Sequence, residues 1–501
     1  SAITCEKSAD VAVTNPHSPP PESTMPMLAF RTRASVCQRE AVAAGDLSAG
    51  RERLAIVSTG GKLCGIAAYT AALRRQLNEA FDVTVFDLDQ YLLRSTHRRV
   101  RDLADRRIKD ICKEIAGYDA VNLQLEHGTL GQRGIDIYRR FCWLAAAAPR
   151  LSVTFHTLLT PPRFESGSLA KAMLTLQWRA AERIYAGYSR HRLLSRSIAR
   201  QLRRQQQVKQ VSAIVHNRRD LYDAKYLYGI RDVFDHPLAF LGNLEAETIR
   251  SRASRHALPM LDSLPADAVL IGVFGFLNEY KGFGTAIEAL HHLPANYHLL
   301  IFGGIHPNEI TARQPLHPYI SSLFKDAYVG TTIYDRISMP REEGAPALVL
   351  GPDRSLSELL GAHPRDLSGR IHFMGALSDS EFLTGMAICD TVVFPYLEVG
   401  QSASGPISQA LELGCRIIAS RTHTFLEFAG YHRDAIEFFD IGNHLELAER
   451  ILARPQFPGP RKFPEFNAET NKAVYLLANS RLTPAGASAG RLAIPEAAAT
   501  R

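Results

Sequence analysis

Long apolar runs are missing from this sequence of 501 residues. No stretch approaches the roughly 18 to 20 apolar residues that cross a bilayer, so no transmembrane helix is expected. Paired cysteines are missing too. Cys5, Cys37, Cys64, Cys112, Cys142, Cys389 and Cys415 stand apart, with no C-x-x-C pair and no histidines at zinc spacing. They read as free thiols of a reducing compartment. The N-terminal region carries no basic-then-apolar signal pattern; Asn15-Pro16-His17-Ser18-Pro19-Pro20-Pro21 stands there instead. A cytoplasmic protein is the expectation. Charge of one sign is also scarce: Lys plus Arg number 58 against 51 Asp plus Glu, a net +7. At this length that excess does not point to nucleic acid as a partner.

The chain is too long for one ordinary core, and two or three domains are expected. Residues 1–50, rich in Pro, Ser, Ala and Thr, read as a disordered leader, and 484–501, rich in Ala and Gly, read the same way. Between them, short apolar runs alternate with helical ones, the pattern of parallel sheets with crossover helices. Strands are expected at 53–58, 83–88, 120–125, 151–156 and 211–216. A second series is expected at 269–276, 297–303, 371–376, 391–396, 415–420 and 435–441. The fold class is therefore α/β, with two doubly wound Rossmann-like domains at 51–260 and 268–445 joined near 258–268. Residues 446–483 read as C-terminal helices that return to the first domain, and 308–368 as an insertion with its own helices.

Ligands of open parallel sheets sit beyond the carboxyl ends of the strands, so residues directly after the strands matter most. The first strand runs into Gly60, Gly61 and Gly65 before a helix with Ile66, Tyr69, Leu73 and Leu77 on one face. Glycines there let a backbone approach a phosphate, although a plain strand-to-helix turn reads equally well. His156 ends the strand 151–156, where an imidazole can serve a substrate hydroxyl or merely be a satisfied structural histidine. Glu126 and His127 end the neighbouring strand and could serve an acceptor hydroxyl or cap a loop. Asp87-Leu88-Asp89 looks like a D-x-D metal motif, but it terminates a strand of a doubly wound domain, which argues against a metal.

In the second half, Gly275-Phe276-Leu277-Asn278-Glu279-Tyr280-Lys281-Gly282 follows the first strand and opens a helix. Lys281 is placed to neutralise a phosphate, or to face solvent. The densest segment runs from Glu398 to Gly414. Gln401, Ser402, Ala403, Ser404 and Gly405 form a loop of small residues with free amides, and Gln409 follows in the helix. Ten Lys/Arg against the single acid Glu182 crowd 171–209, and 94–114 is rich in arginine, with Val100, Leu103, Ile108, Ile111 and Ile115 near one face. Such charge reads as the solvated side of a core-packed helix, or as a peripheral contact with an anionic membrane surface.

Together these residues resemble the retaining glycosyltransferases of family four, which have the GT-B architecture. The carriers are Gly60-Gly61…Gly65, Thr154-Phe155-His156-Thr157, Gly275…Lys281-Gly282, Ile301-Phe302-Gly303-Gly304, and Phe394-Pro395-Tyr396 leading to Gln409. The resemblance implies an interdomain cleft, with the acceptor bound by the first domain and a nucleotide-sugar donor by the second. It implies Lys281 on the donor pyrophosphate, His156 on the transferred sugar, Gly61 to Gly65 near the phosphates, and the amides of Ala403 to Gly405 on sugar or phosphate oxygens. The implied activity is transfer of a hexose to a glycan, lipid or other acceptor with retention, with no metal or cofactor required. Two positions depart from the family: Gln401 and Gln409 stand where glutamates are usual, and Phe276 where an arginine often follows the glycine. A catalytically silent binder of a nucleotide sugar or a partner, and a sugar-nucleotide epimerase, are the alternative readings.

Overall fold

The computed structural model describes residues 51–60, 65–158, 166–175, 177–304, 318–326, 367, 369–456 and 464–480. Gly61, both chain ends and nearly all of the expected insertion lie outside the described residues; of the insertion, Leu367 and the helix Pro318–Asp326 are described.

Among the described residues, twelve strands form two sheets of six, parallel throughout. The first contains β1 (Arg53–Ser58), β2 (Asp82–Asp87), β3 (Ala120–Leu125), β4 (Leu151–Phe155), β5 (Val211–Val215) and β6 (Val233–Asp235), in the order β2-β1-β3-β4-β5-β6. The second contains β7 (Val269–Phe274), β8 (Tyr297–Phe302), β9 (Ile371–Gly375), β10 (Thr391–Phe394), β11 (Ile417–Ser420) and β12 (Ile436–Phe439), in the order β12-β11-β10-β7-β8-β9. Burial on both faces explains why these strands read as continuous apolar runs: every residue of β3, β4, β5 and β10 is buried. The three-residue edge strand β6, half apolar, has no such signature and was not expected.

Strand order locates the crevices. The sequence reverses between β1 and β3 in the first sheet and between β7 and β10 in the second. At such a switch point adjacent crossover helices lie on opposite faces and leave a gap at the carboxyl ends.

Three apolar clusters hold the layers. One covers the outer face of the first sheet, with Ile108, Ile111, Ile115 and Phe141; another covers one face of the second, with Phe283, Ile287, Leu290 and Leu447. The third runs through both domains, joining Leu54 and Tyr69 to Phe240 of the connecting segment and to Phe274, Phe302 and Phe394. Each fully buried side chain of this size contributes about 1.5–3 kcal/mol, so one shared core couples the two sheets strongly. Leu103, expected near the apolar face of its helix, is instead 48% exposed. The buried positions there are Ala104, Ile108, Ile111 and Ile115.

The chain's last described helix, Ala468–Asn479, leaves the second domain and packs on the helix Gly65–Leu77 and on β3, β4, β5 and β6. Its contact with the sheet is polar as well as apolar, which matters for His156 below. No helix among the described residues is long and apolar enough to cross a membrane.

Candidate active site

At the β7/β10 switch point, two glycines make room for one lysine. Gly275 has φ +131, and a Cβ there would meet Lys281 Cε at 3.0 Å. Gly282 has φ +65, and a Cβ there would lie 1.8 Å from the Pro395 carbonyl oxygen. The loop after β7 can therefore press against the end of β10 only with glycine at 282. Between them Lys281, 6% exposed, donates to the Tyr396 hydroxyl. Its Nζ lies 3.9 Å from the Tyr396 ring centroid and 4.8 Å from that of Tyr280. Burial lowers its pKa to about 7. No carboxylate pairs with it among the described residues, and an unpaired buried ammonium favours an anionic ligand.

The Tyr396 hydroxyl in turn meets Ser404 Oγ at 3.1 Å, tying the lysine to the serine/glycine loop. Glu398 shapes that loop: its two carboxylate oxygens accept the amides of Gly400 (2.9 Å) and His423 (2.7 Å). The Gln401 carbonyl accepts the Thr424 hydroxyl, while its side-chain Oε1 is buried with no partner among the described residues. Burial raises the Tyr280 phenol, and a hydrogen bond with the Gln401 side chain opposes that. Ser402 and Ser404 are buried, Ala403 and Gly405 half-buried. Gly405 opens the helix Gly405–Glu412, with Phe240 3.1 Å from where its Cβ would be. Gln409, farther along that helix, lines a cleft of about 550 Å³ with Ala68, Ala72 and Arg75 of the first domain and Asp379 and Leu383 of the second.

In the first domain, His156 follows β4 half-buried and is not among the residues lining that cleft. Its Nε2 meets Gln124 Oε1 at 2.8 Å, and its ring stands edge-on to Tyr69 at 5.6 Å. Burial, with His216 beside it, lowers its pKa well below the usual range, so it is neutral at physiological pH. Glu126, half-buried, accepts from the Thr157 hydroxyl at 2.8 Å, and burial raises its pKa. His127 instead packs into the outer layer of the first domain, around a cavity of about 10 Å³ with Phe155, Leu158, Ile198 and Tyr228. The Gly60 amide donates to Asp87 Oδ1 at 2.6 Å; Gly65 is exposed at the first turn of its helix. Asp89 Oδ1 caps the next helix through the amides of Tyr91 and Leu92.

The structure thus gathers Lys281, Gln401, Ser402 and Ser404 at one strand end, and His156 and Glu126 at the edge of the facing sheet. Sequence reasoning missed the residues that connect the two groups. His216 follows β5 with its ring 5.3 Å from that of His156, and the next residue, Asn217, reaches the second domain at Ser402. The signal was present: a histidine directly follows β5 as one follows β4, one strand over. Tyr280 and Tyr396, which enclose the lysine, were visible only as neighbours of other residues.

No protein-family model matches this sequence, and no match was found among curated proteins. Solved structures do match in fold. A UDP-forming α,α-trehalose-phosphate synthase from Burkholderia xenovorans aligns over 86% of this chain and 98% of its own, with TM-score 0.56 and 10% identity. The apo structure of OtsA aligns over 86% and 100%, with TM-score 0.54 and 9% identity. With two parallel six-stranded sheets, each reversing its strand order at a crevice, this chain has the GT-B fold of two Rossmann-like domains.

Proposed function

We propose that the protein is a glycosyltransferase that moves a hexose from a nucleotide-sugar donor to an acceptor, with retention at the anomeric carbon. One observation carries the reading: Lys281 is a buried lysine with no carboxylate partner among the described residues, at the switch point of the second sheet, linked through the Tyr396 hydroxyl to the serine/glycine loop. A diphosphate satisfies both. The second domain holds the donor, with Lys281 and the amides of Ala403 to Gly405 on its phosphates and Gln401 and Gln409 serving sugar or ribose hydroxyls. In the first domain, His156 contacts the transferred sugar, Gly60 and Gly65 lie near the phosphates, and Glu126 serves the acceptor side.

In the proposed step the acceptor oxygen bonds to the anomeric carbon as the bond from that carbon to the phosphate oxygen breaks. The acceptor proton passes on the same face to the leaving β-phosphate. The protein orients both partners and stabilises the departing charge in a closed cleft. No metal is needed: Lys281 supplies the positive charge, and Asp87 and Asp89 are engaged by backbone amides. A glycan or a lipid-linked sugar is the proposed acceptor, and the cytoplasm the proposed site of action. For a lipid-linked acceptor, Leu174, Trp178 and Leu193 are among the exposed apolar side chains of the basic stretch that would meet a membrane surface.

The test is a thermal-shift panel of UDP, GDP, ADP and dTDP and their sugars, since a ligand bound only by the folded state raises its melting temperature. UDP is the first to try, because the trehalose-phosphate synthase of like fold is UDP-forming by name. Turnover with an acceptor panel then separates an enzyme from a silent binder, and donor conversion without acceptor marks an epimerase. His156→Ala should lower turnover far more than nucleotide affinity, as for a contact made to the sugar.

A further inference from the structure

Five hydrogen bonds run in sequence from the C-terminal helix to His156, with a side branch from Asn122 Nδ2 to the Thr154 hydroxyl at 3.2 Å. The Asn479 side-chain amide donates to the Tyr475 carbonyl, 2.8 Å. Asn479 Oδ1 accepts from the Ser152 hydroxyl, 2.7 Å, and Ser152 Oγ accepts from Asn122 Nδ2, 2.7 Å. Asn122 Oδ1 accepts from Gln124 Nε2, 2.5 Å, and Gln124 Oε1 meets His156 Nε2, 2.8 Å. Asn122, Gln124, Ser152 and Asn479 are all buried, so no water competes for these groups.

Amides can flip and hydroxyls can rotate, so each link alone could run either way. The first link cannot. A backbone carbonyl only accepts, so Asn479 must turn its nitrogen to Tyr475 and its oxygen to Ser152. Ser152 must then donate to Asn479 and accept from Asn122, which turns the oxygen of Asn122 to Gln124. Gln124 turns its nitrogen to Asn122 and its oxygen to His156. Reversing any one link would face two donors or two acceptors inside the protein, at about 1–3 kcal/mol for the buried group left unmade. The Thr154 and Tyr475 hydroxyls, 3.3 Å from Gln124 Nε2, can accept from it and so agree with this sense.

We infer that the C-terminal helix fixes His156 as the Nε2–H tautomer, with Ser152, Asn122 and Gln124 as positioning residues, so that Nδ1 presents a bare lone pair to the ligand. Nδ1 has no hydrogen-bond partner among the described residues. His156 therefore accepts a hydrogen bond from a hydroxyl and donates none to an anionic or carbonyl oxygen. His216 is set the opposite way: its Nδ1 lies 3.0 Å from the His236 carbonyl and so carries the proton. That a sugar hydroxyl is the donor to His156 rests on the proposed transferase reading; the tautomer does not.

The experiment uses the full chain labelled with 15N-histidine, with His156 assigned by loss of its signal in His156→Ala. Ring nitrogens with and without a proton are well separated in 15N shift. The wild type should show Nε2 protonated and Nδ1 bare at His156, and the reverse at His216. Ser152→Ala should mix the two tautomers at His156 and leave His216 unchanged; Ser152→Thr should restore the single form. An Nδ1–H form in the wild type, or an unchanged His156 in Ser152→Ala, overturns the inference. Should Ser152→Ala disturb His216 too, Gln124→Glu decides: a carboxylate there should leave both His156 nitrogens protonated near neutral pH, and a ring protonated only at Nδ1 overturns the relay. Turnover in Ser152→Ala should fall about two- to tenfold, as for one orienting hydrogen bond, with nucleotide affinity unchanged. A wild type with the stated tautomer but no transfer activity would remove the proposed function and leave the relay standing.

Discussion

The Asn217 side-chain amide donates to the Ser402 carbonyl at 3.0 Å, joining the end of β5 to the serine/glycine loop of the other domain. The oxygen of the same side chain accepts the Asp220 amide at 2.7 Å and caps the helix Arg218–Tyr222. One residue thus starts a helix and clasps the cleft. Tyr431 donates to Asp235 across the same boundary, and Glu412 accepts the amides of Phe240 and Leu241 at 2.7 and 3.1 Å.

Asn217→Asp separates the two roles. The carboxylate keeps the cap but turns an acceptor towards the Ser402 carbonyl, costing about 1–3 kcal/mol at a buried site. The domains should part: small-angle scattering should give a larger radius of gyration than the wild type, and saturating nucleotide sugar should restore part of the difference. Unchanged dimensions in the variant would mean that this clasp does not hold the cleft.

Lys281 predicts a proton signature. Folded Lys281 titrates near pH 7, whereas an unfolded lysine titrates near about 10.4. Between those values the unfolded chain binds more protons, so this group adds stability to the free protein as pH rises from about 7 towards 10; that contribution is absent below 7. A bound diphosphate favours the charged form. Nucleotide binding at pH 8 should therefore take up a proton, seen as a dependence of calorimetric heat on buffer ionisation enthalpy, and affinity should fall as pH rises above 7. Lys281→Met should lose both effects.

Gly282→Ala should be severe for so small a change. Its φ of +65 costs a non-glycine residue about 1–2 kcal/mol, and the Cβ would sit 1.8 Å from the Pro395 oxygen. The loop must move, and Lys281 with it. Denaturant titration should show at least about 2 kcal/mol lost, accompanied by weaker nucleotide binding. Gly284→Ala, with nothing within 4 Å of its Cβ and a place inside a helix, is the control and should be neutral or mildly stabilising.

Much of this architecture is legible in the sequence because parallel strands buried on both faces write themselves as unbroken apolar runs. The expected strands at 53–58 and 120–125 coincide with β1 and β3. Expected ends run long where burial outlasts the ladder: Pro395 and Tyr396 are buried beyond the last residue of β10. The site was harder to read. Lys281 and the serine/glycine loop follow strands directly, and strand order brings them together. His216, Asn217 and the Gln124 relay depend on partners far away in sequence: the pairing of Gln124 with Tyr475 spans 351 positions. A buried glutamine in an apolar strand carries no local sign of what it holds.

Gln401 gives a prediction that separates stability from turnover. Its Oε1 is buried without a partner among the described residues, an arrangement that costs a protein about 1–3 kcal/mol unless a ligand meets it. Replacing the side chain by one of similar size without polar atoms removes that cost. Gln401→Leu removes that cost but also the side-chain hydrogen bond with Tyr280, so the two offset and the free protein should stay within about 1 kcal/mol of the wild type. On the proposed reading transfer should fall all the same, because the oxygen assigned there to a ligand hydroxyl is gone, and the loss should lie in turnover more than in nucleotide affinity. A purely structural glutamine would behave in the opposite way, with stability falling and turnover per folded molecule kept. Measuring melting temperature and turnover on the same preparation distinguishes the two. The wild type should, moreover, gain more stability from a saturating nucleotide sugar than Gln401→Leu does, since only its bare oxygen finds a partner in the complex.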